Sequence, residues 1–342
     1  MSSIARRFPA EWEEQSGVLL ALPHTDSDWQ PYIDEILEFY AKLISAIVRF
    51  EKVLLVAVDT AAAKEWLLQA GVESSRIVFV QMPLNDTWAR DFGNISIEEN
   101  GETVLLDFEF NGWGLKFAAN HDNQVNTKLS ASAVFGAVKM QKMGWILEGG
   151  SIESDGTGTI LTTENCLFAP NRNARWRHAD FEAAFERDFG AKRTLWLTHG
   201  HLENDDTDAH IDTLARFCDL RTIAYTACDD PADPHYEELR AMAQELEAFR
   251  TIDGEAYRLI ALPLPKLYFE GERLPATYAN FLIINGAVIT PIYGVATDDL
   301  AIAALKTAFV DREIIPLNAA VPTRQHGSIH CLTMQIPKAV PL

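Results

Sequence analysis

Short apolar runs alternate with amphipathic helical stretches along the whole chain, and the helical stretches recur about every 60 residues. Residues Pro31 to Phe50 place Ile33, Ile36, Leu37, Tyr40, Leu43, Ile44, Ile47 and Val48 at helical spacing, with Pro31 suited to the first turn. A strand is expected over Val53–Val58, a helix over Thr60–Ala70 stopped by Gly71, and a strand over Ile77–Gln81. Further helices are expected near Asp122–Val134, Ala179–Phe189, Pro234–Phe249 and Asp298–Val310. Strands are expected at Val104–Phe108, Thr194–Leu197, Thr222–Thr226, Leu259–Leu262, Asn280–Ile284, Ile314–Leu317 and Ile329–Ile336. Asp155-Gly156 within Ser151–Ile160 and Asn285-Gly286 within Phe281–Ile289 each join two strand-like runs, the pattern of a hairpin. Two architectures suit this rhythm: a ring of β-rich units with one helix each, or an open doubly wound sheet. Periodicity alone does not separate them. No Pro/Ser/Gly linker divides the chain, so residues 1–342 read as one catalytic-size domain.

Composition narrows the partners. A hydrophobic fraction of 48% supplies a core, and a formal net charge of -20 disfavours nucleic acid, which needs clustered Lys and Arg. An acidic cleft attracts small cations, although an acidic surface also serves solubility alone. No apolar run approaches the roughly 18 residues of a membrane span. The start, Met1 to Pro9, has Arg6 and Arg7 but no apolar segment behind them, because Glu11, Glu13 and Glu14 intervene. The four cysteines, Cys166, Cys218, Cys228 and Cys331, form no C-x-x-C pair. A cytoplasmic protein with reduced thiols is the expectation, and a homo-oligomer stays open.

Candidate chemistry begins at Asp205-Asp206-Thr207-Asp208-Ala209-His210-Ile211-Asp212, one histidine among four carboxylates. In an extended backbone His210 and Asp212 would share a face, and an imidazole beside a carboxylate suits proton transfer or cation binding. A calcium loop fails: counting from Asp206, Ile211 stands at the sixth position and Phe217 at the twelfth. His199 and His201 keep a metal open, and so does a plain solvated acidic loop. Cys331, in a Gly327 loop running into a short strand, is either a buried apolar residue or a thiolate nucleophile. The other cysteines read as core. Trp88 and Asp91 could share one flat cation, or Arg90 could pair internally with Asp91 or Asp86. Glu148, before Gly149-Gly150, could be aimed inward or could mark a plain turn.

Taken in order, these segments resemble the agmatine deiminase branch of the guanidine-modifying superfamily, which also contains peptidylarginine deiminases. The resemblance runs from Trp88-Ala89-Arg90-Asp91 through Phe110-Asn111-Gly112-Trp113-Gly114, Glu148-Gly149-Gly150-Ser151-Ile152-Glu153, Thr163-Glu164-Asn165-Cys166-Leu167, Asn171-Arg172-Asn173, His210-Ile211-Asp212 and Pro291-Ile292-Tyr293-Gly294 to Ile329-His330-Cys331. Ala209 departs from a usual Gly, and Thr213 from a frequent Asn. The resemblance implies a five-bladed α/β propeller of ββαβ-type units, the pentein fold, with a central site. It implies Cys331 as nucleophile, His210 as acid and then base, Glu148 as the histidine's partner, and Asp91 with Asp212 as a guanidinium clamp. Trp88 and Trp113 would line the channel. The implied reaction is hydrolysis of agmatine to N-carbamoylputrescine and ammonia through a Cys-thiouronium intermediate, with no metal and no organic cofactor. A peptidylarginine deiminase, arginine deiminase or amidinotransferase on the same scaffold stays open, as does a non-catalytic binding propeller.

Overall fold

The computed structural model describes residues 5–342. The first four residues of the amino-terminal stretch read above for targeting signals lie outside the described residues. The chain builds five sheets of three or four strands and one two-stranded ribbon, Tyr268–Phe269 with Glu272–Arg273. In four of the five sheets an antiparallel pair is followed by a helix that returns the chain to a parallel strand. One such unit pairs Ile152–Ser154 with Thr159–Thr163, runs through the helix His178–Phe189, and adds Arg193–Leu197 in parallel. The next uses Ala215–Asp219, Thr222–Ala227, the helix Tyr236–Ala248 and Arg258–Pro263. A third uses Leu282–Ile284, Ala287–Ile292, the helix Asp298–Ala308 and Glu313–Asn318. Ile95–Glu99, Glu102–Glu109, the helix Val125–Ala131 and Lys139–Ile146 repeat the order, with Arg6–Arg7 added at the edge. The remaining sheet joins both ends of the chain: Thr333–Pro337 pairs antiparallel with Gln15–Ala21, followed by Lys52–Ala57 and Ile77–Gln81 in parallel. The architecture is mixed α/β, and a single open doubly wound sheet does not describe it.

Local chemistry explains these elements. Ile33–Ile47 buries Ile36, Phe39, Tyr40, Leu43, Ile44 and Ile47, a stripe with helical period. Asp59 caps the helix Thr60–Gln69 by accepting from the N–H groups of Ala61 and Ala62. Lys52–Ala57 is apolar at nearly every position because both of its faces are covered. The expected helix over Asp122–Val134 is shorter: a 3-10 turn at Asp122–Gln124 leads into Val125–Ala131. Two expected strands also start late. Asn280–Ile284 forms strand only from Leu282, and Ile329–Ile336 only from Thr333. In both, the leading residues turn inward to the site instead of pairing. Among the described residues no helix is long and apolar enough to cross a membrane.

At the centre sits a buried polar web. Arg216, fully buried, donates to Glu153, to Glu11 and to the carbonyls of Ala279 and Phe281, and stacks over the Phe281 ring. Arg90 donates to Gln335 at 2.6 Å and lies 3.6 Å from Glu11. Arg90 therefore pairs with neither Asp91 nor Asp86. A buried guanidinium is tolerated only where its donors are met, so this web ties distant segments together.

The helix His178–Phe189 ends at Gly190, whose φ of 70° is left-handed. A Cβ there would lie 1.9 Å from the Arg6 carbonyl oxygen. Gly190→Ala is expected to lower the unfolding free energy by about 2–4 kcal/mol, from left-handed strain plus overpacking. Urea midpoints measure it, and an unchanged midpoint would reject this account.

Candidate active site

The acidic loop is turned inside out by its apolar members. Ala209, Ile211 and Leu214 are buried in a cluster with Leu161, Leu197, Phe217 and Met242. His210 and Asp212, between them, face the opposite way and are also fully buried. They do so through a 3-10 turn at Ile211–Thr213, not through the extended backbone expected from sequence. Asp205 shapes the loop by accepting from the N–H groups of Thr207 and Ala209 at 3.0 and 2.6 Å. Asp208 and Ala209 both take left-handed φ, 65° and 67°.

Four segments meet these two residues. Gly150 lies in the 3-10 turn Gly149–Ser151, where a Cβ would fall 2.6 Å from His210 Nδ1, 2.8 Å from Asp91 Oδ1 and 3.1 Å from Asp212 Oδ2. Glycine is needed there because the three groups close over its backbone. Asp91 accepts from the Gly150 N–H at 3.0 Å and from the Trp113 indole N–H at 2.9 Å, and stands 3.6 Å from His210 Nδ1. Glu148 contacts His210 Nε2 at 2.9 Å and accepts from Arg172 Nε at 2.9 Å. Arg172 also donates to Asp208 at 2.6 Å, which ties Glu148 to the acidic loop. Cys331 stands in the turn before Thr333–Pro337. Its sulfur lies 3.2 Å from the donor Asn280 Nδ2 and 3.7 Å from Asp212 Oδ2. Cys331, His210, Glu148, Asp91, Asp212, Trp88 and Trp113, all singled out in the sequence, thus occupy one region. His199 and His201 do not: they are exposed and pair with Glu245 and Glu238.

Some site residues carry little signal in the sequence. Asn280 reads there as the start of a strand, yet it contacts the Cys331 sulfur and its Oδ1 accepts from the His330 N–H at 2.9 Å. Cys166, read as core, is buried but also lies 3.9 Å from Glu148. Trp113 does more than line the channel, because its N–H orients Asp91.

The electrostatics are uneven. Burial pushes Asp91 up to about 6; His210 and the Trp113 N–H oppose this, while Asp212 and Glu148 add to it. Burial works against charge on His210, but Asp91, Cys166 and Glu148 outweigh it and hold its pKa well above the ordinary value. Burial, Asp212 and Asp91 push the Cys331 thiol up, partly offset by the Ser328 N–H and by Asn280. Of the ten buried polar side-chain atoms without a hydrogen-bond partner among the described residues, two, His210 Nδ1 and Asp212 Oδ1, lie here. Asp212 Oδ1 is an acceptor that a donor-rich ligand would satisfy.

Two groups bring donor atoms close enough for a metal ion: Glu148 with Cys166 and His210, and Glu11 with Glu153 and His330. Arg172 already donates to the first group and Arg216 to the second, so a cation would have to displace a guanidinium from each.

A cavity of about 320 Å³ opens onto Cys331 and Asp91. Trp88, Trp113 and Phe117 wall it, and Asp28, Asp86 and Asp206 lie along it. Gly327 packs against Trp88, where a Cβ would come within 2.0 Å of the ring. Its cations are engaged: Arg324 is bidentate to Glu35 at 2.9 and 2.8 Å, and Lys116 at the rim holds Asp208 at 2.8 Å.

Residues 7–337 match the family described as Porphyromonas-type peptidyl-arginine deiminase. A Porphyromonas gingivalis structure named provisionally as an arginine deiminase is 44% identical, with a TM-score of 0.94 over 98% of this chain and 100% of that one. A C. jejuni agmatine deiminase with substrate bound is 40% identical, with a TM-score of 0.92 over 99% and 98%. The agmatine deiminase of Pseudomonas syringae pv. tomato is 32% identical over 96% of this chain and 95% of its own.

Ala209, at the position where glycine is usual in the resembling branch, is held at a φ that favours glycine. Ala209→Gly is expected to stabilise the protein by about 0.5–1 kcal/mol, the left-handed penalty removed less the extra unfolded-state entropy of glycine. Chemical denaturation reads this directly, and a destabilised variant would show that the loop bears no strain.

Proposed function

Because this chain belongs to the Porphyromonas-type peptidyl-arginine deiminase family, we propose that its site hydrolyses agmatine to N-carbamoylputrescine and ammonia. One observation carries the reading. The unpartnered Asp212 Oδ1 is buried with Asp91 beside the Cys331 sulfur and the charged His210, so carboxylate acceptors gather at the floor of the site. A guanidinium is planar, cationic and rich in donors, which is what such a pocket lacks.

In this reading Asp91 and Asp212 grip the N–H groups and hold the guanidinium carbon in line with Cys331. The same two carboxylates that hold the thiol protonated are neutralised by the bound cation, so substrate favours the thiolate it needs. The thiolate attacks the carbon. His210, charged and braced by Glu148, gives its Nδ1 proton to the departing nitrogen, which leaves as ammonia and a thiouronium on Cys331. Neutral His210 then takes a proton from water, whose oxygen attacks the same carbon. As the C–S bond breaks, the proton of the added hydroxyl passes to the sulfur, which releases the ureido product and restores the Cys331 thiol; the proton lost from that thiol at the start leaves with the ammonia.

Agmatine is favoured over arginine by the channel. Its aromatic walls suit a butyl chain, and Asp28, Asp86 and Asp206 suit an ammonium. An α-carboxylate would meet these acids, while Arg324 and Lys116 are already paired. The four repeated strand–strand–helix–strand units, with the sheet that joins the two ends of the chain, fit a five-bladed α/β propeller, and residues 1–342 fit a single catalytic domain. The four free cysteines fit a cytoplasmic location.

Ureido product is expected from agmatine, with much less from arginine or a peptidyl arginine. Cys331→Ala is expected to lose at least about 10⁴-fold in kcat. A preference for arginine would overturn the substrate, and an active Cys331→Ala would overturn the mechanism. The pH profile supplies a separate check. Asp91 must be ionised to bind, so kcat/KM for agmatine is expected to fall below the Asp91 pKa of about 6. A profile flat through that region would remove Asp91 from the clamp.

A further inference from the structure

His330 precedes the proposed nucleophile and is 1% exposed, yet the proposed reaction gives it no role. Both of its ring nitrogens face carboxylates: Nδ1 lies 2.7 Å from Asp212 Oδ2, and Nε2 lies 2.6 Å from Glu11 Oε2. A neutral imidazole has one N–H and can donate to only one of them. The second contact therefore needs another proton, on the ring or on a carboxylate. Glu11 is a poor place for it, since it also accepts from Arg216 at 2.8 Å and from the Ile283 N–H at 2.8 Å, with Arg90 at 3.6 Å. Asp212 must stay ionised to clamp a cation. The remaining place is the imidazole.

We propose that His330 is a positioning residue: a buried imidazolium that fixes Asp212 by its Oδ2 oxygen and offsets the Asp212 charge next to Cys331. Its hydrogen bond holds Asp212 Oδ2, and Oδ1 is left without a partner. Its charge cancels much of the field that Asp212 would exert on the sulfur 3.7 Å away. The charged neighbours act in both directions. Burial, Arg216 and Arg90 outweigh Glu11 and Asp212 and draw the ring's pKa below its ordinary value; against that stand the contacts of 2.7 and 2.6 Å, each of which needs a proton between ring and carboxylate. Glu153 reaches the same cluster and is held by Arg216. The geometry of two short carboxylate contacts favours the charged ring. The backbone reinforces it, because the His330 N–H donates to Asn280 Oδ1 and the Asn280 amide donates to the Cys331 sulfur. One imidazole and one amide thus set both the carboxylate and the nucleophile.

This inference rests on reading Cys331 as the nucleophile and Asp212 as half of the clamp, and its test separates the two ideas. Wild type and His330→Gln are treated with iodoacetamide across pH, and labelling of the Cys331 peptide is followed by mass spectrometry. Glutamine can donate to one carboxylate but carries no charge. The alkylation midpoint is expected to rise by about one pH unit or more. KM for agmatine is expected to rise about tenfold, more than kcat falls, because Asp212 loses its orientation. A folded variant with an unchanged midpoint and KM overturns the inference while leaving the proposed function intact. A wild type that turns over no guanidine overturns the proposed function instead. A second measurement does not depend on that variant folding. In ¹⁵N-histidine-labelled His210→Gln protein, above the pH where exposed histidines titrate, one ring should keep both nitrogens protonated. If every ring is neutral there, the imidazolium does not exist.

Discussion

Charge buried without water is the constraint on which the rest of this structure depends. Asp91, Glu148, His210, Asp212, Glu11, His330, Arg90, Arg172 and Arg216 all lie inside the molecule, and each would be costly alone. They are tolerated because they are linked. Arg172 holds Glu148, Glu148 holds His210, and His210 stands against Asp91. On the other side Arg216 holds Glu11, Glu11 holds His330, and His330 holds Asp212. The two chains end on Asp91 and Asp212, the two carboxylates whose charge acts on the Cys331 sulfur. The sheets and helices can be seen as the means of delivering these side chains from segments as far apart as Glu11 and His330, which are 319 residues distant.

That arrangement explains the two unusual backbone features at the centre. A loop that must bury Ala209 and Ile211 on one side and present His210 and Asp212 on the other cannot run as a plain strand or helix. It reverses through consecutive left-handed residues, Asp208 and Ala209, and then tightens into a 3-10 turn. Asp205 satisfies the amides this leaves exposed, so three of the four acids in the segment have structural duties or face the rim. Gly150 solves the complementary problem: three polar groups can converge only over a residue with no side chain.

The sequence exposed the repeat far better than the closure of the centre. Helices with a full apolar stripe, such as Ile33–Ile47 and His178–Phe189, follow from local periodicity, and their ends shift by only a few residues. The strand Gln15–Ala21 is absent from the elements expected from sequence, and its antiparallel partner Thr333–Pro337 comes from the far end of the chain. The candidate site residues were visible because they fall in ordered motifs at consistent spacing. Their supports were not. Asn280 looks like any polar residue before an apolar run, and Gly150 like any turn glycine. His330 gains meaning only through Glu11 and Asp212, which no local window contains. Arg324 was hidden for the same reason: it reaches the cavity through the fold, already paired with Glu35.

The charge pattern also orders the events of a catalytic cycle. With the cavity empty, burial, reinforced by the charge of Asp212, lets Asp91 hold its proton up to about pH 6, and burial with Asp212 and Asp91 makes Cys331 keep its own higher still. Only a ligand that is both cationic and planar removes that repulsion while fitting between Trp88, Trp113 and the carboxylates. In the proposed reaction, reactivity is thereby coupled to occupancy: the sulfur becomes a good nucleophile when the guanidinium carbon is in front of it, and stays a protonated thiol otherwise. The strength of that coupling is set by how much of the Asp212 charge is already cancelled from behind. A bare carboxylate there would lock the thiol, and a missing one would lose the guanidinium. An imidazolium bound to Oδ2 leaves Asp212 between these extremes, which is why the residue beside the nucleophile matters as much as the nucleophile.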